Sequence, residues 1–182
     1  VSGQSMDFMI CLAVETTGDP AFGLRFADYI QPTSYHALGV ALLYSPTLRS
    51  FCIRLARYFA IVTTMDDTRF EEENGNACLS THPLFEYSET MHRCHPDAWA
   101  AWIVKLLRLI CNPGFNPVSV TLTWTPPEHL QGRYDQTFQC PITYSGEVPR
   151  IYLDASTLDD PLPTSNAELA RQNDQVITEF LA

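Results

Sequence analysis

The sequence predicts an α+β domain in which N-terminal helices pack on a mostly antiparallel sheet. Amphipathic stripes at helical spacing and one strong β-hairpin signal support this prediction. Read from the N-terminus, a group of helices is followed by the order ββαβαββα, so that the chain ends in a helix. With 182 residues, 46% of them hydrophobic, the chain is long enough for one domain, residues 1–182, with a sizeable core.

The first two helices are short. Residues 5–17 form a helix that ends at Gly18, and its predicted inward residues are Met6, Met9, Ile10 and Val14. A turn at Gly18-Asp19-Pro20 leads to a second helix at residues 21–30, whose predicted inward residues are Phe22, Phe26 and Ile30. Residues 35–44 are apolar nearly all round and predict a buried third helix.

The fourth helix has the clearest start signal in the chain. Ser45 is the predicted N-cap, and Pro46 stands at the first helical position, where its missing N–H costs nothing. The apolar positions that follow share one helical face: Leu48, Phe51, Cys52, Leu55, Phe59 and Val62. Arg49, Arg54 and Arg57 lie on the other face, where we expect solvent or another subunit.

Strands predominate after residue 65. Residues 68–73 and 77–82 flank Asn74-Gly75, which predicts a hairpin, and residues 83–94 predict a loop or the start of a helix. A helix at 96–110, a strand at 118–124 and a short helix from Pro126 to Tyr134 follow. Residues 142–144 and 150–153 suggest a second hairpin. Ser165 and Glu168 have the capping-box spacing that begins the last helix.

Composition limits the partners of this chain. The net charge of −10 and the pI of about 4.7 argue against nucleic-acid binding by the chain itself, because phosphate contacts need lysine and arginine. No apolar run approaches the roughly 20 residues of a membrane span. The six cysteines show no CxxC pair and no secretory signal begins the chain, so the expected location is the cytoplasm.

Motifs for catalysis, cofactors or metals are weak. The densest group of metal-type ligands is His92, Cys94 and His95 with Met91, and its spacing matches no structural zinc pattern. GxSxG, HExxH and glycine-rich phosphate loops do not occur. We therefore predict no catalytic residue, no cofactor and no resident metal.

A small ligand is the favoured partner. Most aromatic residues sit on inward stripes and predict core packing, but some can line an apolar pocket between the helices and the sheet. Six residues are the candidates to contact a ligand there: Arg25, Tyr35, His36, Tyr44, Arg69 and Trp124.

Several motifs in a fixed order resemble a known family. They are Thr17-Gly18-Asp19-Pro20 with Gly23-Leu24-Arg25, Ser45-Pro46-Thr47-Leu48, Phe138 with Cys140-Pro141, and Leu158 followed by Pro161-Leu162-Pro163. Together they resemble the N-terminal, arabinose-binding-like sensing domain of AraC-type bacterial transcriptional regulators, from about Met6 to Ala182.

The resemblance implies a cytoplasmic regulator domain without catalytic activity that binds a small-molecule effector, forms a homodimer, or both. DNA binding would reside in a separate helix-turn-helix module, and we expect that module to be absent from this chain. The resemblance identifies no effector. Two alternatives stay open: a pure dimerisation or protein-interaction module without a ligand, and a metal or redox sensor that uses Cys94 with His92 and His95.

Overall fold

A computed structural model of the chain describes residues 3–73 and 75–181. The helices are α1 (Gly3–Thr17), α2 (Phe22–Tyr29), α3 (His36–Leu43), α4 (Leu48–Tyr58), α5 (Glu89–Ile110), α6 (Glu128–Phe138) and α7 (Ala167–Leu181). The strands are β1 (Asp66–Glu73), β2 (Asn76–Pro83), β3 (Ser119–Thr121), β4 (Ile142–Thr143) and β5 (Arg150–Asp154). Short 3-10 helices occupy Pro32–Tyr35, Phe59–Ile61 and Ala155–Thr157. The predicted α+β class, element order and C-terminal helix are confirmed.

The five strands form one sheet in the order β1-β2-β5-β3-β4. Every pairing is antiparallel except that of β3 with β4, which is parallel. The predicted hairpin of β1 and β2 is confirmed, with Thr68 opposite Thr81. Gly75 has a φ of 81°, which glycine adopts without strain, while Asn74 lies outside the described residues. The predicted second hairpin is wrong, because β4 pairs with β3 and β5 pairs with β2 and β3.

Helix α5 is the centre of the core. Most of its residues from Ala98 to Ile110 are buried, and it packs on α1, α2, α3 and α6. It begins at Glu89, seven residues before the predicted start at Pro96, because Ser88 caps it by accepting a hydrogen bond from the Met91 N–H. Pro96 therefore lies inside a continuous helix. No helix among the described residues is long and apolar enough to span a membrane.

Predictions for the N-terminal helices hold for position but only in part for orientation. Met9 of α1 is 47% exposed, so its predicted inward position is wrong. In α2 the buried residues are Gly23, Leu24 and Ala27, whereas Phe22 and Phe26 are only half-buried. A Cβ on Gly23 would lie 2.2 Å from the Cys94 carbonyl oxygen, so the small residues of α2 allow its close approach to α5.

The start of α4 differs from the prediction. Thr47 is the N-cap, in a capping box with Ser50, and the helix begins at Leu48. Ser45 is buried instead, and its hydroxyl donates to the Ala41 carbonyl at 2.9 Å. The predicted apolar stripe from Leu48 to Phe59 is buried as expected.

Two arginines on the outer face of α4 make contacts within the chain rather than facing only solvent or another subunit. Arg49 forms ion pairs with Glu72 of β1 and with Asp159. Arg54 donates from Nε and Nη2 to both oxygens of Asp174 on α7, at 2.9 to 3.1 Å. Helix α4 is thereby joined to the sheet and to the C-terminal helix.

The remaining differences concern element ends. The strand predicted at residues 118–124 is only Ser119–Thr121, and Val118 is 51% exposed. Helix α6 continues to Phe138, beyond the predicted end at Tyr134. Asn166, rather than Ser165, caps α7 by accepting from the Leu169 N–H at 3.1 Å.

Candidate effector cavity

A cavity of about 610 Å³ lies between the N-terminal helices and the first half of α5. Residues from α1, α2, α5 and the segment 59–65 line it. Five of its lining residues are aromatic and buried or half-buried: Phe26, Tyr35, Phe59, Trp99 and Trp102. We call it the aromatic cavity. Its volume lies within the range of small-molecule sites in proteins, which are mostly apolar with a few polar groups.

The aromatic wall is held by ring contacts. Tyr35 packs edge-on against Trp102, with 4.6 Å between ring centroids, and against Phe59 at 6.2 Å. Phe59 and Trp102 stack at 5.7 Å. These contacts join the 3-10 helices on either side of the cavity to α5. Burial raises the pKa of the Tyr35 hydroxyl above its ordinary value, so Tyr35 is uncharged at neutral pH.

One polar atom of this wall has no partner. The indole Nε1 of Trp99 is fully buried and finds no hydrogen-bond acceptor among residues 3–73 and 75–181. A buried donor without an acceptor costs about 1–3 kcal/mol, and such groups are uncommon in native proteins. Among the described residues, none that lines the cavity is a lysine, arginine, aspartate or glutamate. The cavity therefore suits an uncharged ligand that presents a hydrogen-bond acceptor.

A neighbouring cavity of about 670 Å³ connects this region to the C-terminal helix. It shares Tyr35, Ile61 and Val62 with the aromatic cavity, and Val176 and Ile177 of α7 line its other side. Helix α7 also packs along α3, and the Asn166 N–H that precedes it donates to the Tyr44 carbonyl at 3.1 Å. Tyr35 thus lies between the aromatic cavity and α7.

A buried carboxylate lies on the far side of α5. Asp97 is 0% exposed, and its Oδ2 accepts hydrogen bonds from the Tyr134 hydroxyl at 2.5 Å and from Trp124 Nε1 at 3.0 Å. Its Oδ1 is buried without a partner among the described residues. Burial raises the pKa of Asp97 from 3.8 to about 7. The cluster joins α5 to α6 and to the segment after β3.

The six predicted ligand contacts do not converge on one cavity. Tyr35 lines the aromatic cavity, whereas His36 is exposed and lines the cavity beside α7 but not the aromatic cavity. His36 has a φ of 47°, in the left-handed region. Tyr44 is half-buried at the end of α3 and lines neither of these two cavities.

The other three predicted contacts lie elsewhere. Arg25 is exposed and pairs with Asp19 at 3.8 Å. Arg69 is half-exposed on β1, where its Nε donates to Asp67 at 2.7 Å. Trp124 donates to Asp97 as described above.

Sequence reasoning assigned Trp99 to the core and missed its unpartnered N–H, which no spacing pattern reveals. The importance of Asp97 was also not predicted. Because α5 begins at Glu89 and not at Pro96, Asp97 lies in the interior of the helix, where it is buried. Met91, Cys94 and His95 do line the aromatic cavity. Among the described residues, however, no three histidine, cysteine, aspartate or glutamate side chains are placed to hold a metal ion.

Comparison with known proteins identifies the family. The family described as the arabinose-binding domain of AraC transcription regulators, N-terminal, matches residues 1–162. Among solved structures, the transcriptional regulator CdpR from Pseudomonas aeruginosa shares the fold, with a TM-score of 0.71 at 14% identity. The match covers 85% of this chain and 50% of the CdpR chain, so this chain spans about half the length of that regulator. No curated protein sequence matches.

The family is a regulatory domain of transcription regulators and not an enzyme. The family match and the fold confirm the resemblance seen in the ordered motifs. The chain belongs to the family of N-terminal arabinose-binding domains of AraC transcription regulators.

Proposed function

We propose that this domain senses an uncharged, mainly aromatic or apolar effector in the aromatic cavity and reports its presence through α7. The observation that carries the proposal is the buried Trp99 N–H, which lacks an acceptor among the described residues and belongs to a side chain that lines a cavity of about 610 Å³. A ligand acceptor atom would satisfy that donor, and the five aromatic rings would surround the rest of the ligand.

The lining disfavours a sugar as the effector, despite the family description. A pentose carries several hydroxyl groups, and each would need a polar partner when buried. Ser34, Thr63, Thr64 and His95 are among the few polar side chains of a lining otherwise dominated by aromatic, aliphatic and sulfur-containing residues. An aromatic heterocycle with one acceptor fits this wall better.

The route to DNA runs through the C-terminal helix. Occupation of the aromatic cavity would fix Tyr35, Ile61 and Val62, which also line the cavity against α7. In the full regulator we place a helix-turn-helix DNA-binding module after α7, in the bacterial cytoplasm. An effector with different affinities for two arrangements of α7 would then shift the populations of that module.

Two isosteric probes test the site, namely quinoline, with one acceptor nitrogen, and naphthalene, with none. We expect Trp99→Phe to weaken quinoline binding about 3- to 10-fold more than naphthalene binding, because only quinoline loses a neutral hydrogen bond in addition to ring contacts. Trp102→Phe is the matched control, and it should weaken both probes alike. Equal effects of Trp99→Phe on the two probes, or no saturable binding of either, would contradict the proposal.

A second function, homodimerisation, is supported by the exposed face of α1. Phe8, Met9 and Leu12 lie on this face and are 69%, 47% and 50% exposed. Apolar groups at this spacing form a continuous helical stripe of the kind that pairs with a second copy. Sedimentation at several concentrations tests this role: we expect association that Phe8→Ser abolishes, and a strict monomer at all concentrations would exclude it.

A further inference from the structure

A third cavity, of about 340 Å³, lies at the corner of the sheet where β1 begins and β2 ends. Asp66 and Thr81 line it from the strands, Tyr87 lines it from the segment before α5, and His95 lines both this cavity and the aromatic cavity. We call it the acidic cavity. The function proposed above makes no use of it.

Unpartnered polar atoms gather at this corner. Asp66 and Thr81 are 3% and 2% exposed, and neither Asp66 Oδ2 nor Thr81 Oγ1 has a hydrogen-bond partner among the described residues. The other oxygen of Asp66 accepts from the Tyr87 hydroxyl. Although Oδ2 makes no hydrogen bond, it lies at ion-pair distance, 3.1 Å, from His95 Nε2. Buried groups of this kind in native proteins usually have a ligand, an ion or water as partner.

The charges around the acidic cavity favour a cation. Its lining contains three carboxylates, from Asp66, Glu89 and Glu147, one guanidinium, from Arg93, and the imidazoles of His92 and His95. Arg93 is already paired with Glu89 at 3.4 Å, and it lies over the Trp124 ring. The carboxylates of Asp66 and Glu147 are therefore not neutralised by Arg93.

An organic cation fits better than a metal ion. The described residues offer no group of three or more metal-ligating side chains here. Thr81 Oγ1 and Asp66 Oδ2 can each accept a hydrogen bond from a ligand, and Tyr87, which lines the same cavity, provides an apolar ring. A primary ammonium ion has several donors on one nitrogen and a carbon chain behind it, so it matches both features.

We propose that the acidic cavity binds a small primary ammonium compound, whose nitrogen donates to Asp66 Oδ2 and Thr81 Oγ1. Because His95 lines both cavities, a ligand here contacts the wall of the effector cavity without entering it. The site is independent of the aromatic ligand, so failure of one proposal does not decide the other.

The test is an NMR titration of the domain with n-propylammonium at constant ionic strength, and 1-propanol is the uncharged control. We expect saturable shifts of the Thr81 and His95 signals with n-propylammonium and at least 10-fold weaker binding of 1-propanol. Equal binding of the two probes, or shifts that do not saturate, would overturn the proposal and leave a cavity filled by water only.

Three variants locate the site. Asp66→Asn keeps the acceptor for Tyr87 and should weaken n-propylammonium binding about 10- to 100-fold, through loss of a charge-assisted bond. Thr81→Val retains the shape of the side chain and should weaken binding about 3- to 10-fold, which keeps the test valid if Asp66→Asn does not fold. Thr68→Val is the matched control, because Thr68 faces Thr81 across the hairpin and is also buried but does not line the cavity. Equal losses in Thr68→Val and Thr81→Val would refute a direct contact.

Discussion

Replacement of Asp97 by asparagine should remove most of one pH-dependent contribution to stability. Both donors to Asp97, the Tyr134 hydroxyl and Trp124 Nε1, bond to the same oxygen, Oδ2. The carbonyl oxygen of an asparagine can take that place, and its amide nitrogen replaces the unpartnered Oδ1. The variant therefore keeps both hydrogen bonds and loses the titratable charge, while the new amide N–H groups change the stability by an amount that does not depend on pH.

The magnitude follows from the pKa of Asp97. Burial raises this pKa from 3.8 to about 7, so folding favours the protonated form. The stability contributed by protonated Asp97 is full below pH 3.8 and is lost as the pH rises through about 7. Linkage over these two pKa values gives a loss of about 2.5 kcal/mol in the free energy of unfolding between pH 5 and pH 8.

Urea unfolding of the natural chain and of Asp97→Asn at pH 5, 6, 7 and 8 measures this loss. Other titrating groups contribute to both proteins, so the difference between the two free energies isolates Asp97. We expect Asp97→Asn to gain about 2.5 kcal/mol relative to the natural chain over this range. A difference that stays constant within about 0.5 kcal/mol would refute the account of Asp97 as a desolvated acid.

Two further predictions concern helix packing. Gly23→Ala should lower the free energy of unfolding by about 1–3 kcal/mol, because the new methyl group meets the α5 backbone. Gly132→Ala, with open space around it, should instead raise the free energy of unfolding by about 0.5–1 kcal/mol. Thermal unfolding of the two variants compares these effects. Asp174→Asn weakens the ion pair with Arg54, so we expect it to lower the free energy of unfolding by about 1 kcal/mol and to speed amide hydrogen exchange in α7. The control Glu179→Gln, at an exposed position of the same helix, should change neither the stability nor the exchange rate. Slower or unchanged exchange in Asp174→Asn would contradict the docking of α7 through this pair.

Helix positions followed from hydrophobic periodicity. The stripe of α4 was predicted because Leu48, Phe51 and Leu55 recur at helical spacing, and all three are buried. Its cap was misplaced because Ser45 and Thr47 are both good N-caps in sequence. Tertiary packing decides between them: Ser45 is buried against the Ala41 carbonyl, which leaves Thr47 to cap the helix.

The early start of α5 and the pairing of β4 depended on distant residues. Ser88 caps α5 while its hydroxyl and N–H donate to Asp7 of α1, 81 residues away. Likewise, Ile142 pairs with Val120 rather than with β5, which local turn signals do not predict. A single sequence contains no direct signal for contacts of this kind.

The candidate site was predictable only as a class. An apolar pocket lined by aromatic residues follows from composition, and Tyr35 was identified as one of its candidate contacts. The unpartnered Trp99 Nε1 was not predicted from the sequence. Only the folded structure shows that none of the described residues places an acceptor within hydrogen-bond reach of it. Arg25 and Arg69 were candidates by charge, and each is paired with a nearby aspartate.

The indole N–H signals in a ¹H–¹⁵N NMR spectrum report directly on whether an effector occupies the aromatic cavity. The chain has three tryptophans, Trp99, Trp102 and Trp124, and therefore three such signals. We expect saturation with quinoline to move the Trp99 signal downfield, because its unpartnered N–H gains an acceptor, and to leave the signal of Trp124, which already donates to Asp97, in place. A Trp99 signal that does not move at saturation, or a shift at Trp124 alone, would contradict the assignment of the aromatic cavity as the effector site.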